Sequence, residues 1–256
     1  MEQSSPGDQP FVWPSTLALE NSAPLRWLGR GFADILGAPL ASLFYGLILS
    51  GMGFALTRFF GGATGLALTT GFLIAGPFLA VGLYDISRRL EQSQHVALGP
   101  TLTAWRINAP GIGFYALILM LSLAIWIRIS VVMVAMFIPD QVNSIGELAS
   151  VLIVNPQMWA VSAIYVAVGA VLAGFAYATS VVALPMLLDR HSMDPISAMI
   201  VSVNLLRKNP LPLLLWAAII VGLTAVGFFL WFIGLAITVP LIGHATWHAY
   251  RDSIGD

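Results

Sequence analysis

Between Lys208 and Arg251 the chain runs through residues 209–250 without a single Asp, Glu, Lys or Arg. As one α-helix, 42 residues would measure about 63 Å, roughly twice the hydrocarbon thickness of a bilayer. A stretch of this kind has to fold back on itself. Gly227 and Gly234 flank Phe228, Phe229, Leu230, Trp231 and Phe232, and they mark the expected tight turn. Four further apolar runs precede it: Leu40 to Leu56, Ala63 to Leu83, Gly111 to Phe137 (interrupted only by Arg128), and Met158 to Leu188. Six spans follow.

The composition of the 256 residues narrows the function classes. Only 9% are charged and 58% are hydrophobic, far from the roughly 25% charged residues of a soluble domain. An ordinary soluble enzyme is excluded. A net charge of -1 offers no basic excess for nucleic-acid phosphates. The absence of Cys removes disulfides, thiolate metal sites, iron–sulfur clusters and c-type haem attachment.

Orientation follows from the basic residues. Arg26, Arg30, Arg88, Arg89, Arg106, Arg190, Arg207, Lys208 and Arg251 fall on one side of a six-span arrangement, and Arg58 alone falls in a loop on the other. That bias places both termini in the cytoplasm. Arg128 lies about 26 Å along its helix, near the outer interface, where its long side chain can reach toward Asp140 or Glu147. Residues 1–23 lack the basic and apolar regions of a signal peptide and read as a flexible cytoplasmic tail. In the outer loop, Ser144 and Glu147 have capping-box spacing before a stretch stopped at Asn155-Pro156, the mark of a short interfacial helix.

The chain repeats internally. Aligning Pro39 with Pro210 matches residues 37–45 to 208–216. Aligning Pro77 with Pro240 pairs Gly71 with Gly234, Tyr84 with Trp247 and Arg88 with Arg251. Asn108-Ala109-Pro110 and Leu184-Pro185 extend the pattern to the middle pair. The expected architecture is therefore an all-α membrane protein: one six-span domain over 24–252, made of three pseudo-repeated hairpins at 24–91, 98–190 and 194–252.

Amphipathic segments precede the hairpins and should lie in the cytoplasmic interface. In the first, Leu25, Leu28, Phe32, Ile35 and Leu36 share a face opposite Arg26, Arg30 and Asp34, with Pro24 at the start. In the third, Asp194-Pro195 starts a helix whose stripe of Ile196, Met199, Ile200, Val203 and Leu206 opposes Ser202, Asn204, Arg207 and Lys208. The second, Thr101 to Ala109, is short.

Catalytic signatures are missing from the sequence: no Walker A pattern, no His-Glu-x-x-His, no Gly-x-Ser-x-Gly. Gly111-Ile-Gly113 resembles a dinucleotide fingerprint only formally, because it opens an apolar span with no strand before it. One constellation stands out. His244 and His248 lie four residues apart at the end of the sixth span, a spacing able to bind a metal or haem iron. The repeat sets Asp85 opposite His248 and brings in Asp189 and His191 from the third equivalent helix. Trp, Tyr, His and Arg at a helix exit are also what an interfacial anchor requires, and this reading is preferred, with no cofactor expected. Ala163, Ala167, Ala170, Gly174 and Ala178 form a small-residue stripe suited to packing within the bundle.

Leu83 to Glu91 (LYDISRRLE), Pro185 to Arg190 (PMLLDR) and Gly243 to Asp252 (GHATWHAYRD) carry a family resemblance. From about Leu25 to Asp252 the chain resembles a family of proteobacterial integral membrane proteins of unknown function, some of whose members are labelled cytochrome c oxidase subunits. The resemblance implies no catalytic residue. Four His and six spans are too few for a haem–copper catalytic subunit, which leaves an accessory role among respiratory oxidase subunits. The expectation is a non-catalytic accessory or scaffolding protein that contacts lipid and other membrane proteins. A transporter of a small or lipid-like solute comes second, since the spans lack acids for a coupling ion. A lipid-modifying enzyme comes third.

Overall fold

The structure, a computed structural model, describes residues 13–58, 62–137, 154–191 and 193–255, with no side-chain account for 56–75, 77 and 134. Ten α-helices carry the described chain: α1 (Ala23–Gly37), α2 (Pro39–Arg58), α3 (Gly62–Glu91), α4 (Leu98–Leu102), α5 (Ala109–Phe137), α6 (Trp159–Ser180), α7 (Ala183–Asp189), α8 (Pro195–Lys208), α9 (Pro210–Phe229) and α10 (Leu235–Ser253). No strand occurs among the described residues; Thr16 and Ile254 form an isolated antiparallel bridge. Arg58 borders one loop expected on the outer side, and Ser144, Glu147, Asp140 and residues 1–12 lie outside the described residues.

Helices occupy all six stretches read as spans. Among the described residues, three are long and apolar enough to cross a membrane: Ala104–Phe137, Pro156–Asp189 and Pro210–Phe229. The pair α1 and α2, bent by 106°, makes a fourth if taken as one span. α10 falls short because polar residues are built into it. Its 19 residues carry two His, Trp247, Tyr250, Arg251 and Asp252.

Both helix corners follow from local chemistry. Pro39 and Pro210 have no N–H to continue the preceding helix and suit the first position of the next. The residues just before them adopt nearly the same backbone: Ala38 at φ -140, ψ 60 and Asn209 at φ -127, ψ 59. Each donates its N–H back to the fourth residue before it, Asp34 and Leu205 respectively. α8 starts as its sequence signals, with Asp194 accepting a hydrogen bond from the Ser197 N–H at 2.9 Å and Pro195 next in line.

The expected turn between the last two helices forms, but by different means. The left-handed residues are Trp231 (φ 54) and Phe232 (φ 65). Gly234 has φ -58 and packs against Gly227. Its missing Cβ matters for close approach, not for backbone freedom.

α10 is the hub. α1, α2, α3, α7 and α9 all pack on it. Pro240 within α10 cannot donate to the Ala236 carbonyl one turn earlier. Gly46 of α2 lies against that oxygen so closely that a Cβ there would stand 2.1 Å away. The largest core cluster includes Trp27 of α1 and Trp216 of α9, which meet edge to face at 5.8 Å.

Trp27 changes the reading of α1. Ala23, Pro24, Trp27, Gly31 and Ile35 form a buried face on α10, whereas Leu25, Phe32 and Leu36 remain exposed. Ile35 therefore leaves the expected stripe. Three faces result: one for protein, one apolar and free, one polar with Arg26 and Arg30. In α8 the correction is similar. Ser202 is fully buried, donating to the Ala178 carbonyl at 2.7 Å, and is not on a solvated face.

Residues 13–22, the described part of the expected flexible tail, are held in place. The Leu17 N–H donates to the Ser253 carbonyl, and Gly255 N–H to Ser15. Asn209 clamps the same segment from α8, accepting from Leu19 N–H at 2.8 Å and donating to the Leu17 carbonyl at 2.9 Å.

Candidate functional site

The singled-out polar residues gather around the C-terminal half of α10, but they do not form one site. His244 is fully buried. Its Nε2 lies 2.9 Å from Ser42 Oγ and its Nδ1 lies 2.8 Å from Ser87 Oγ. Ser42 already gives its one hydroxyl proton to the Ala38 carbonyl at 2.9 Å. A neutral imidazole with Nε2 donating to Ser42 and Nδ1 accepting from Ser87 is the assignment that fits this proton. Both nitrogens of a neutral imidazole are thus occupied, and His244 clamps α2, α3 and α10 together.

His248, one turn on, faces α1, where its Nε2 meets Asp34 at 2.9 Å. The four-residue spacing does put both rings on the α10 flank toward α1, α2 and α3, yet their partners differ. Asp85 is fully buried and held by its own helix: Arg88 reaches it at 2.5 Å and Arg89 at 2.7 Å. Asp189 accepts from the Tyr250 hydroxyl at 2.8 Å and lies 3.6 Å from Arg251. His191 is exposed in the turn after α7. No group of three metal-ligating residues converges among the described residues.

Further residues complete the arrangement. Arg251 bridges Asp189 and Glu91, and Glu91 also accepts from Trp247 Nε1 at 3.0 Å. Asp252 accepts from Trp27 Nε1 at 3.0 Å and from Arg30 at 2.7 Å. Arg190 donates to the Gly255 carbonyl at 2.7 Å. A ring of pairs therefore joins α10 to α1, α3 and α7, and within it the fully buried His244 and Asp85 are satisfied by neighbours. Ser42, Ser87 and Asp34 carried no sequence signal as His partners, because the contacts span 202, 157 and 214 residues.

Away from the hub the chemistry thins. Ala163, Ala167, Ala170 and Gly174 are exposed on α6, so the small-residue stripe does not pack within the bundle as expected. α6 meets α5 through another face, where Trp126 stacks on Tyr165 at 4.5 Å and covers Gly169. Arg128 is exposed on α5. A cavity of about 330 Å³ lies between α3, α5, α6, α7, α9 and α10, among Tyr84, Tyr177, Trp216, Ile242 and Thr246.

A fold of apolar helices around a polar-clamped hub is the setting for the family comparison. Residues 65–189 match the family described as Predicted integral membrane protein (DUF2189). This DUF2189 match runs from α3 to the end of α7, through two of the three motif stretches on which the resemblance rests. It makes the chain an integral membrane protein in contact with the lipid bilayer. No curated protein matches the chain, and no solved structure does.

Proposed function

We propose that the chain is a non-catalytic scaffolding or accessory subunit of a membrane complex, built from six spans in three hairpins, with its termini and the α1 and α8 helices at the cytoplasmic face of a bacterial inner membrane. The observation that carries the role is a division of labour. The candidate reactive groups His244, His248, Asp85 and Asp189 are tied to structural partners, whereas the most apolar windows of α5 and α6 have no buried residue at all. Surfaces that apolar are covered in a membrane, by lipid or by other spans. Exposed Ala163, Ala167, Ala170 and Gly174 permit a neighbouring helix to approach closely there. Respiratory oxidase subunits are one class of such neighbours.

The nearly identical corners at Ala38 and Asn209 support the repeat of the first hairpin in the third. For the six-span topology, the Cys-free chain allows single cysteines at 60, 94 and 145 to be labelled from either side of the membrane. Positions 60 and 145 should react from outside and 94 from inside. For the role, the full chain purified in mild detergent should hold a membrane protein in fixed stoichiometry. Ala167→Trp should release that protein without changing thermal stability. The cavity between the hairpins favours transport as the second reading, and solute flux by the isolated protein in liposomes would replace the scaffold with it.

A further inference from the structure

We infer that the groove between α8 and the paired helices α5 and α6 binds one anionic phospholipid, its acyl chain along the groove and its phosphate on Arg207. The groove holds about 430 Å³ and is lined by Phe114 and Ile118 of α5 and by Ile200, Val203, Asn204 and Arg207 of α8, among others. Arg207 follows Val203 by four residues and Ile200 by seven, so the three share one helical face. That face is not the polar side on which the sequence pattern put Arg207. The opposite face, with Ala198, Val201, Ser202 and Leu205, is buried in the protein.

A guanidinium at the end of an apolar, open groove needs an anion that also brings an apolar body. Arg207 makes no ion pair among the described residues. The neighbouring Lys208 is turned instead to the Thr16 carbonyl. Guanidinium groups match phosphate oxygens with two parallel hydrogen bonds, and Asn204, also exposed in the groove, supplies an amide donor beside them. Free phosphate would leave the apolar lining unused, whereas a phospholipid fills both parts. The equivalent position in the first hairpin is Leu36, 65% exposed, so the charge belongs to α8 alone and not to the repeat. A helix C-terminus also favours a cation, but that role does not require Arg207 to line a groove.

The site rests on the interfacial placement of α8 proposed above, so the experiment separates the two. Delipidated full-length protein in detergent is titrated with phosphatidylglycerol and phosphatidylcholine of equal chain length and followed by native mass spectrometry. Phosphatidylglycerol should be retained preferentially. Arg207→Gln should cut that preference about fivefold, the value of one cation at an anionic lipid surface. Arg26→Gln, on the polar face of α1, should leave it intact, and Val203→Trp should weaken retention of both lipids by filling the groove. An unchanged preference in Arg207→Gln overturns the site, as does inorganic phosphate competing as well as phosphatidylglycerol. Placement has its own readout: a fluorophore on Ile200→Cys should be quenched by lipid-borne quenchers. If it is quenched only from water, the interfacial reading falls. Lipid quenching combined with no effect of Arg207→Gln overturns the lipid site alone.

Discussion

α10 and the α5–α6 pair invert what hydrophobicity means in a soluble protein. The window within Ala104–Phe137 has a mean hydropathy of 2.5 and no buried residue, while 12 of the 19 residues of α10, a helix carrying two His, Arg and Asp, are buried. Lipid is as apolar as leucine, so nothing drives Leu and Ile inward in a membrane. Polar groups have no water to turn to and must find protein partners. Among the helices read as spans, the one richest in polar groups therefore becomes the centre, and α5 and α6 the periphery.

The contrast is sharpest for large-to-small substitutions. Trp27→Ala, which empties a fully buried site and removes the indole donor to Asp252, should lower stability by about 3–5 kcal/mol. Val166→Ala, on the exposed face of α6, should change it by less than about 0.5 kcal/mol. Thermal unfolding in one detergent compares the two, and equal effects would erase the distinction.

Glycine provides the next test. Gly46→Ala sets a methyl against the Ala236 carbonyl that Pro240 leaves open, and separating two backbones should cost about 3 kcal/mol. Gly174→Ala meets open space and should be neutral or slightly stabilising through helix propensity.

His244→Leu keeps the volume but strands the Ser87 hydroxyl, so a loss of about 1–3 kcal/mol is expected. A stability gain in this variant would show that the polar clamp is dispensable.

The smallest effect lies at the start of α8. Hydrogen bonds from Ser197, its side chain first and its backbone N–H second, hold the Asp194 carboxyl below its usual range. A depressed folded value stabilises the protein above the unfolded value, and that contribution fades as pH falls below about 4. Asp194→Ala should cost about 1 kcal/mol at neutral pH and much less in acid. A pH-independent difference would remove the cap from the account.

Legibility in the sequence followed the range of the forces. Pro24 and Pro195 lie at the starts of helices where expected, and the 209–250 run folds back where its length required. These are outcomes of backbone geometry and bilayer thickness. The candidate site was legible only as a list of residue types. His244 and His248 read as a possible pair because spacing along a helix is visible, whereas Ser42, Ser87 and Asp34 were silent.

By itself, the sequence determined that the protein is helical and membrane-embedded, because an uncharged 42-residue run without the alternating pattern of barrel strands must satisfy its backbone in lipid through helices. Which helix stands at the centre was decided by tertiary structure. Asp85 finds its two arginines within its own turn, but His244 is satisfied only when α2 and α3 close around α10, and the approach of α2 depends on Gly46 admitting the Ala236 backbone. The small-residue stripe on α6 has the same local pattern and stays open, since no described helix reaches it. Spacing along one helix cannot tell a contact that is made from one that is merely allowed, because the partner arrives from elsewhere in the chain.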